Sequence, residues 1–252
     1  MPYVSDSSIY FEAIANDPWS CYLDSGIQDD LDENISDKSR YDIIVSHPFI
    51  KIIADESTVS IEENNLKKIT KENPFNVLEG ILANFDIQET SLPFTGGALG
   101  YFSYELSQSS IKNNKDHVGM PLMMIGIYDW ALIVDHQEKT ACIASHLINK
   151  DTKDYLTTLT KKLKSVKPNN QLFKINSNIK SLLNFEAYDL MVNKILSFIK
   201  EGDVYQINIS NKYIVSCEGN SWTGYKKLRE INRAPFMAYF HFDDFDILCG
   251  SP

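Results

Sequence analysis

The sequence lacks the features that define several large protein classes. It has four cysteines in 252 residues, Cys21, Cys142, Cys217 and Cys249, and none forms a Cys-x-x-Cys pair. This spacing favours buried, reduced thiols over a disulfide framework or a zinc site. No apolar run approaches the roughly 18 residues that a membrane span needs, and the first residues show no signal-peptide pattern. The sequence therefore predicts a cytoplasmic protein that does not enter a membrane.

The chain also lacks an excess of positive charge. Lys and Arg number 24 against 34 Asp and Glu, which gives a net charge of −10. An acidic surface argues against binding to nucleic acid or to anionic membranes. Hydrophobic residues make up 43% of the chain and aromatic residues 12%, which is ample for a buried core.

Common catalytic motifs are absent as well. The chain contains no Gly-x-Ser-x-Gly, Walker, Gly-x-Gly-x-x-Gly or His-Glu-x-x-His pattern. The glycines of 96–100 are followed by no evident helix, so they favour strand packing over phosphate binding. His47, His136 and His146 lie at predicted strand ends or turns and His241 lies within a strand, which favours structural roles for all four.

The hydrophobic pattern predicts an α+β fold, because long strands occur in adjacent pairs with helices between the groups. Strands are predicted at 19–23, 40–47, 96–106, 123–135, 140–146, 203–215, 236–242 and 245–248, with a hairpin over 49–62. Helices are predicted at 151–164, at 222–231 and after Asn73 and Asn184, because Asn is a good N-cap. A polar stretch at 166–183 is the predicted linker between a region 1–165 and a region 184–252.

Two clusters of residues have the chemistry to bind an amino acid. Arginine suits a carboxylate because its guanidinium donates two parallel hydrogen bonds, and a Pro-Phe pair offers a rigid apolar wall for an aromatic ring. The candidate residues are Ser25, Lys38, Ser39, Arg40, Tyr41, Pro235, Phe236 and Met237. In the alternative interpretation, Arg40 pairs with a core carboxylate and Phe236 is plain core; the residues alone favour this alternative.

Five stretches, in order along the chain, resemble one enzyme family. They are Pro18–Gly26, Ser39–Ile43, Leu92–Phe102, Val118–Gln137 and Gly202–Pro252. Together they resemble aminodeoxychorismate synthase component I and, more broadly, chorismate-utilising enzymes that include anthranilate synthase component I. The run Tyr22-Leu-Asp-Ser-Gly26 is more similar to the aminodeoxychorismate enzymes than to the anthranilate enzymes.

The resemblance implies a fold of two packed antiparallel β-sheets flanked by helices. It implies conversion of chorismate and glutamine-derived ammonia to 4-amino-4-deoxychorismate, in folate biosynthesis, with a glutamine amidotransferase subunit as partner. Chorismate and magnesium are held mostly by the carboxy-terminal half in that family, so no metal is expected to bind this chain. The candidate amino-acid residues match the family's tryptophan-binding positions, although Lys38 and Met237 depart from some relatives.

The resemblance also implies that the chain stops before the catalytic half. In that family the catalytic glutamate, and a Pro-Ile-Lys-Gly-Thr or Pro-Ile-Ala-Gly-Thr segment, come after the position of Pro252. No catalytic residue is therefore expected within the chain, which alone is expected to be inactive. Three alternatives stay open: part of an anthranilate synthase component I, a non-catalytic module that binds tryptophan or docks an amidotransferase, and a non-functional remnant.

Overall fold

A computed structural model describes residues 1–26, 40–85, 90–108, 119–166 and 171–250. The chain divides into two compact units. The first unit comprises Met1–Asn169 and Tyr225–Pro252, and the second comprises Asn170–Gly224. The predicted boundary at 166–183 falls near the first crossing between them, but the chain returns to the first unit at Tyr225.

Side-chain caps mark the starts of some of the described helices. They are α1 (Ser8–Glu12), α2 (Pro74–Leu82), α3 (Thr152–Lys164), α4 (Phe185–Glu201) and α5 (Ser221–Ile231). The side chain of Asn73 accepts a hydrogen bond from the Phe75 N–H, and that of Asn184 accepts one from the Ala187 N–H. Gly202 ends α4 in the left-handed region at φ 84°, where a glycine has no Cβ penalty. The predicted starts of α2 and α4 are confirmed.

Two antiparallel sheets form the body of the first unit. The six-stranded sheet contains β1 (Ser20–Asp24), β2 (Tyr41–Val45), β8 (Trp130–Asp135), β9 (Thr140–Ser145), β14 (Met237–His241) and β15 (Asp246–Cys249). The five-stranded sheet contains β3 (Ile50–Ala54), β4 (Val59–Glu63), β5 (Leu66–Thr70), β6 (Gly97–Phe102) and β7 (Met123–Tyr128), and a 3₁₀ helix (Tyr104–Gln108) follows β6. The strand order is β15-β14-β1-β2-β8-β9 in the six-stranded sheet and β5-β4-β3-β7-β6 in the five-stranded sheet.

The two sheets pack face to face. Cys21, Ile133 and Phe240 of the six-stranded sheet share one buried cluster with Met124 and Tyr128 of the five-stranded sheet. On the outer face of the five-stranded sheet, α2 contributes to a second cluster, and ring contacts join α1 and α3 to the outer face of the six-stranded sheet. The predicted α+β fold, with two packed antiparallel sheets flanked by helices, is confirmed.

The predicted single strand over 123–135 is wrong, because the chain changes sheets in its middle. Met123–Tyr128 belongs to the five-stranded sheet and Trp130–Asp135 to the six-stranded sheet. Asp129 occupies the crossing, where its Oδ2 accepts hydrogen bonds from the Asn149 N–H at 2.9 Å and the Thr152 hydroxyl at 2.7 Å. Every residue of both strands is buried. The sequence therefore shows no alternation of apolar and polar residues that would mark the end of one strand and the start of the next.

The second unit is small and has little regular structure. It contains α4 and two short strand pairs, β10 (Phe173–Ile175) with β13 (Cys217–Gly219) and β11 (Lys180–Ser181) with β12 (Tyr213–Ile214). Thus the predicted linker contains two strands, and only 213–214 of the predicted strand 203–215 is extended in a sheet. Among the described residues no strand pairs with 203–212, and the Tyr205 side chain is 93% exposed.

The thiols match the sequence interpretation only in part. All four cysteines are free; Cys21 is buried, whereas Cys217 is exposed. Burial raises the pKa of the Cys21 thiol to about 12, so it stays protonated at neutral pH. Of the helices that the structure describes, none combines the length and apolar character that crossing a membrane requires.

We expect a small stability increment that depends on pH from His241, whose Nδ1 lies 2.6 Å from Asp246 Oδ1. This hydrogen bond raises the pKa of His241 above 6.5, against the lowering effect of burial. A raised pKa contributes stability that is complete below 6.5 and is lost as the pH rises through the folded-state value. Urea unfolding should show His241→Gln to be less stable than wild type by about 0.5–1 kcal/mol at mildly acidic pH, with the difference vanishing at alkaline pH. A difference independent of pH would contradict this.

Candidate functional site

The ends of three neighbouring strands bring the two predicted clusters together. In the six-stranded sheet β1 lies between β14 and β2, with Asp24 opposite Met237 and Leu23 opposite Ile43. Ser25 therefore leaves the sheet at the edge where Tyr41 and Met237 enter it. We call Ser25, Arg40, Tyr41, Pro235, Phe236 and Met237 the strand-end site. Lys38 and Ser39, the other two predicted members, lie outside the described residues.

Gly26 shows how close the chains run at this edge. Its φ is +93°, and a Cβ added there would lie 2.8 Å from the carbonyl oxygen of Ala234. Glycine is the residue that accommodates both the backbone conformation and this approach. The segment after β1 is thereby held beside the segment that leads into β14.

Phe236, one of the two aromatic residues of the site, is not part of the core. Phe236 has a positive φ of 62° and is 66% exposed, whereas its neighbour Met237 is buried. A left-handed backbone is uncommon for a non-glycine residue and is worth a functional hypothesis. The alternative in which Phe236 is plain core is not what the structure shows.

The Arg40 guanidinium is paired with a carboxylate. Nη2 of Arg40 donates to Asp135 Oδ2 at 2.8 Å, and Nε lies 3.1 and 3.2 Å from the two carboxylate oxygens. Burial alone would raise the pKa of Asp135, but the bonds from Arg40 and from the backbone of Glu138 hold it below its usual value. Asp135 lies on β8, on the opposite side of β2 from Ser25. The structure thus has the ion pair that the sequence left as an alternative.

Ser25 is held by a completely buried carboxylate. Asp42 Oδ1 accepts hydrogen bonds from the backbone N–H and the hydroxyl of Ser25, each at 2.7 Å. Asp42 Oδ2 accepts from the Ser7 hydroxyl at 2.5 Å and lies 2.7 Å from His136 Nε2. We call Ser7, Ser25, Asp42 and His136 the Asp42 cluster.

Hydrogen bonding keeps Asp42 ionised. Burial would raise its pKa, but the bonds from His136, Ser25 and Ser7 and the charge interaction with His136 lower it overall. An ionised carboxylate only accepts, so His136 donates from Nε2, and the Tyr3 hydroxyl, 3.2 Å from Nδ1, faces the other ring nitrogen.

A second buried network adjoins the first. Arg229 donates from Nε to Asp24 Oδ2 at 2.6 Å and from Nη1 to Asp6 at 2.7 Å. The Tyr225 hydroxyl donates to the same Asp24 oxygen at 2.9 Å, and Arg229 Nη2 lies 3.3 Å from the Tyr22 hydroxyl. Burial and the charge of Asp42 raise the pKa of Asp24, although Arg229 counteracts both. We call Asp6, Tyr22, Asp24, Tyr225 and Arg229 the Arg229 cluster.

The Asp42 cluster has the residue types of a hydrolytic triad but not its connectivity. In a triad the serine bonds to one histidine nitrogen and the carboxylate to the other. Here both Ser7 and Ser25 donate to the carboxylate itself, and all members are buried. The geometry is that of a buried hydrogen-bond network around one carboxylate, not of nucleophilic catalysis.

The sequence interpretation missed these support residues. One signal was available for Asp42, because this carboxylate interrupts the apolar run of β2. Strand alternation places Asp42 on the same face as Ile44, and both residues are buried. No comparable signal existed for Arg229, because its partners are more than 200 positions away in the chain.

The described residues contain no candidate ligand set for a metal ion such as magnesium. Within residues 1–26, 40–85, 90–108, 119–166 and 171–250, no three His, Cys, Asp or Glu side chains cluster so as to hold a metal ion.

Similarity to curated proteins is extensive but covers half of each relative. Aminodeoxychorismate synthase component 1 of Escherichia coli (strain K12) is 31% identical over 98% of this chain and 53% of its own length. The protein of the same name from Salmonella typhimurium is 30% identical over 96% of this chain and 52% of its own. Anthranilate synthase component 1 of Lactococcus lactis is 28% identical over 86% and 50%. The chain thus spans about half the length of these relatives.

Comparison with solved structures and family models agrees with this result. Anthranilate synthase component I from Streptococcus pneumoniae TIGR4 superposes with a TM-score of 0.72 at 21% identity, over 89% of this chain and 53% of that one. A model described as chorismate binding enzyme matches residues 34–252. Because that match covers most of the sequence, the chain belongs to the chorismate-binding enzyme family.

Proposed function

We propose that the chain is the amino-terminal part of an aminodeoxychorismate synthase component I. The observation that supports the proposal is the sequence similarity to curated proteins. Three proteins of that name are 29–31% identical to this chain over 96–100% of its length. The anthranilate synthase of Lactococcus lactis reaches 28% over 86%. The complete enzyme joins chorismate to ammonia from a glutamine amidotransferase subunit and forms 4-amino-4-deoxychorismate.

In this proposal residues 1–252 supply the scaffold and not the reacting groups. The described part holds no metal site, and the Asp42 cluster lacks the connectivity of a nucleophile with its base. Residues 1–252 alone are expected to show no turnover of chorismate, because removing the groups that place charge at a reaction centre costs several powers of ten in rate.

A chimera tests the proposal. Residues 1–252 are joined to the remaining carboxy-terminal part of the Escherichia coli aminodeoxychorismate synthase component 1, and the product from chorismate, magnesium and ammonia is followed by chromatography. We expect turnover on the order of 1 s⁻¹ from the chimera and none from residues 1–252.

A second chimera is the matched control. It carries the corresponding part of the Lactococcus lactis anthranilate synthase. We expect it to be the less active of the two chimeras, because the surface that this part presents to residues 1–252 is that of an anthranilate synthase. A folded first chimera without turnover, or higher activity in the second, would overturn the assignment.

We also propose that the strand-end site binds L-tryptophan. The support is positional: Ser25, Phe236 and Met237 lie at neighbouring strand ends on one edge of the sheet, at the positions that the resemblance associates with tryptophan. The Phe236 ring is suited to an indole because a pair of aromatic rings contributes binding free energy beyond that of the area it buries. Calorimetric titration of the folded chain with L-tryptophan tests this proposal directly.

Arg40→Ala is expected to weaken tryptophan binding by less than about threefold. A charge-assisted bond from Arg40 to the ligand would be worth roughly 1.5–3 kcal/mol, or tenfold and more, but the guanidinium is engaged with Asp135. The measurement is calorimetry on wild type and variant, after circular dichroism has shown both to be folded. A loss of tenfold or more would show that the Arg40 guanidinium bonds directly to the ligand.

A further inference from the structure

The five-stranded sheet has an open edge at β5. In the strand order of the described residues, β5 pairs with β4 on one side and with no strand on the other. Both residues of the connection 64–65 have positive φ, 51° and 62°, which is the geometry of a type I′ hairpin turn. Glu63 and Leu66 close such a turn as a hydrogen-bonded pair. Because the bonding alternates along an antiparallel ladder, the N–H and C=O groups of Lys67 and Ile69 point away from β4.

The side chains of β5 combine apolar surface with positive charge. Leu66 is 76% exposed and Ile69 is 63% exposed. Lys67 and Lys68, which lie between them, are exposed as well. The edge therefore offers a strand partner free backbone groups, two apolar side chains and two adjacent cations.

Charge determines which kind of strand fits this edge. The chain as a whole has a net charge of −10, so the lysine pair is a local exception. On β4, Glu62 lies directly opposite Lys67, whereas the residue opposite Lys68 is Ile61. A second copy of the chain is a poor partner, because like charges across two strands are destabilising and edge lysines protect against such pairing. A strand that carries carboxylates would instead be attracted.

We propose that the β5 edge binds an extended segment of a partner protein in which apolar residues flank two adjacent carboxylates. The segment adds a strand to the five-stranded sheet. Its backbone bonds to the outward groups of Lys67 and Ile69 supply affinity, and its side chains opposite β5 supply selectivity. This surface belongs to a different sheet from the strand-end site, and the inference does not depend on the proposed enzyme.

Two hexapeptides are the probes for the complete chain. Acetylated and amidated Thr-Val-Glu-Glu-Val-Thr has two carboxylates between two valines and reads the same in both strand directions. Thr-Val-Lys-Lys-Val-Thr with the same blocked ends is its control of opposite charge. Binding is followed by NMR titration at low salt, because ionic strength screens exposed charges. Hydrogen exchange in the complex then shows whether the amides of Lys67 and Ile69 become protected, as strand addition requires.

Two variants and a matched control separate charge from backbone pairing. Lys67→Glu with Lys68→Glu turns two attractions into two repulsions, and we expect it to weaken binding of the glutamate peptide roughly tenfold or more. Ile69→Pro removes an outward N–H but no bond to β4, a place where an edge strand tolerates proline, and we expect a loss of similar size. Lys153→Glu with Lys161→Glu is the control, because it makes the same change in net charge at exposed lysines of α3; its effect should stay within about twofold.

Each outcome decides the proposal. Binding of the glutamate peptide that protects Lys67 and Ile69, and that is weakened by charge reversal on β5 but not on α3, supports it. If Ile69→Pro does not fold, the charge variant and the exchange measurement decide. Equal binding of both peptides, binding without protection of the two amides, or no binding up to roughly 1 mM peptide overturns it. Protection that appears without peptide and increases with protein concentration would assign the edge to a second copy, and would also overturn it.

Discussion

Replacing Arg229 with methionine is expected to lower the free energy of unfolding by about 3–5 kcal/mol, because it leaves a buried carboxylate without its cation. Arg229 is only 3% exposed and bonds to Asp24, Asp6 and Tyr22. Without it, Asp24 keeps only the Tyr225 hydroxyl and the Gly26 N–H among its described partners, and it remains close to the negative Asp42. Urea unfolding followed by circular dichroism measures the loss, and the melting temperature should fall on the order of 10 °C.

Lys162→Met is the matched control for this prediction. It removes an ion pair of similar length, 2.8 Å to Asp17, whose lysine side chain is 45% exposed. Exposed pairs contribute about 0.2–1 kcal/mol, so the control should barely shift the transition. The double variant Asp24→Asn with Arg229→Met should lose less than the sum of the single variants, because the unpaired charge is then gone. Equal losses for Arg229→Met and Lys162→Met would show that the buried network does not stabilise the fold.

Local signals explain why much of the first unit could be predicted from sequence. The hairpin of β3 and β4, the Asn caps of α2 and α4 and the strands β14 and β15 each depend on neighbouring residues, and alternation or capping chemistry marks them. The crossing at Asp129 could not be seen in this way, because the strands on both sides are wholly buried and share one apolar composition. The strand at 203–215 was overpredicted because apolar residues alone do not supply a pairing strand.

The candidate site was predictable only where the resemblance reached it. Ser25 and Phe236 share an edge because β1 pairs with both β2 and β14, and a strand order is a long-range property that no local pattern carries. The same holds for the residues that hold Ser25. The Asp42 carboxylate joins Ser7 to His136, which lies 94 positions after Asp42 in the chain. The residues alone favoured an ion pair for Arg40 over a ligand contact, and the geometry commits its guanidinium to Asp135.

The chain alone is expected to self-associate through the exposed leucines of α4. No residue of α4 is buried, and Leu190 and Leu196 are 71% and 56% exposed. The strand β14, by contrast, is mostly buried within the six-stranded sheet. Exposed apolar side chains favour association because burying them removes them from water.

Leu190→Lys with Leu196→Lys is expected to raise the dissociation constant of the self-associated form roughly tenfold or more, since each leucine withdrawn from an interface forfeits about 1.5–3 kcal/mol. Sedimentation velocity over a wide concentration series measures it. Asn193→Lys with Ser197→Lys is the matched control, because it adds the same charge to exposed polar positions of the same helix. If both double variants weaken association equally, the added charge and not the loss of the leucines governs it. If wild type stays monomeric throughout the series, the exposed leucines of α4 do not drive association.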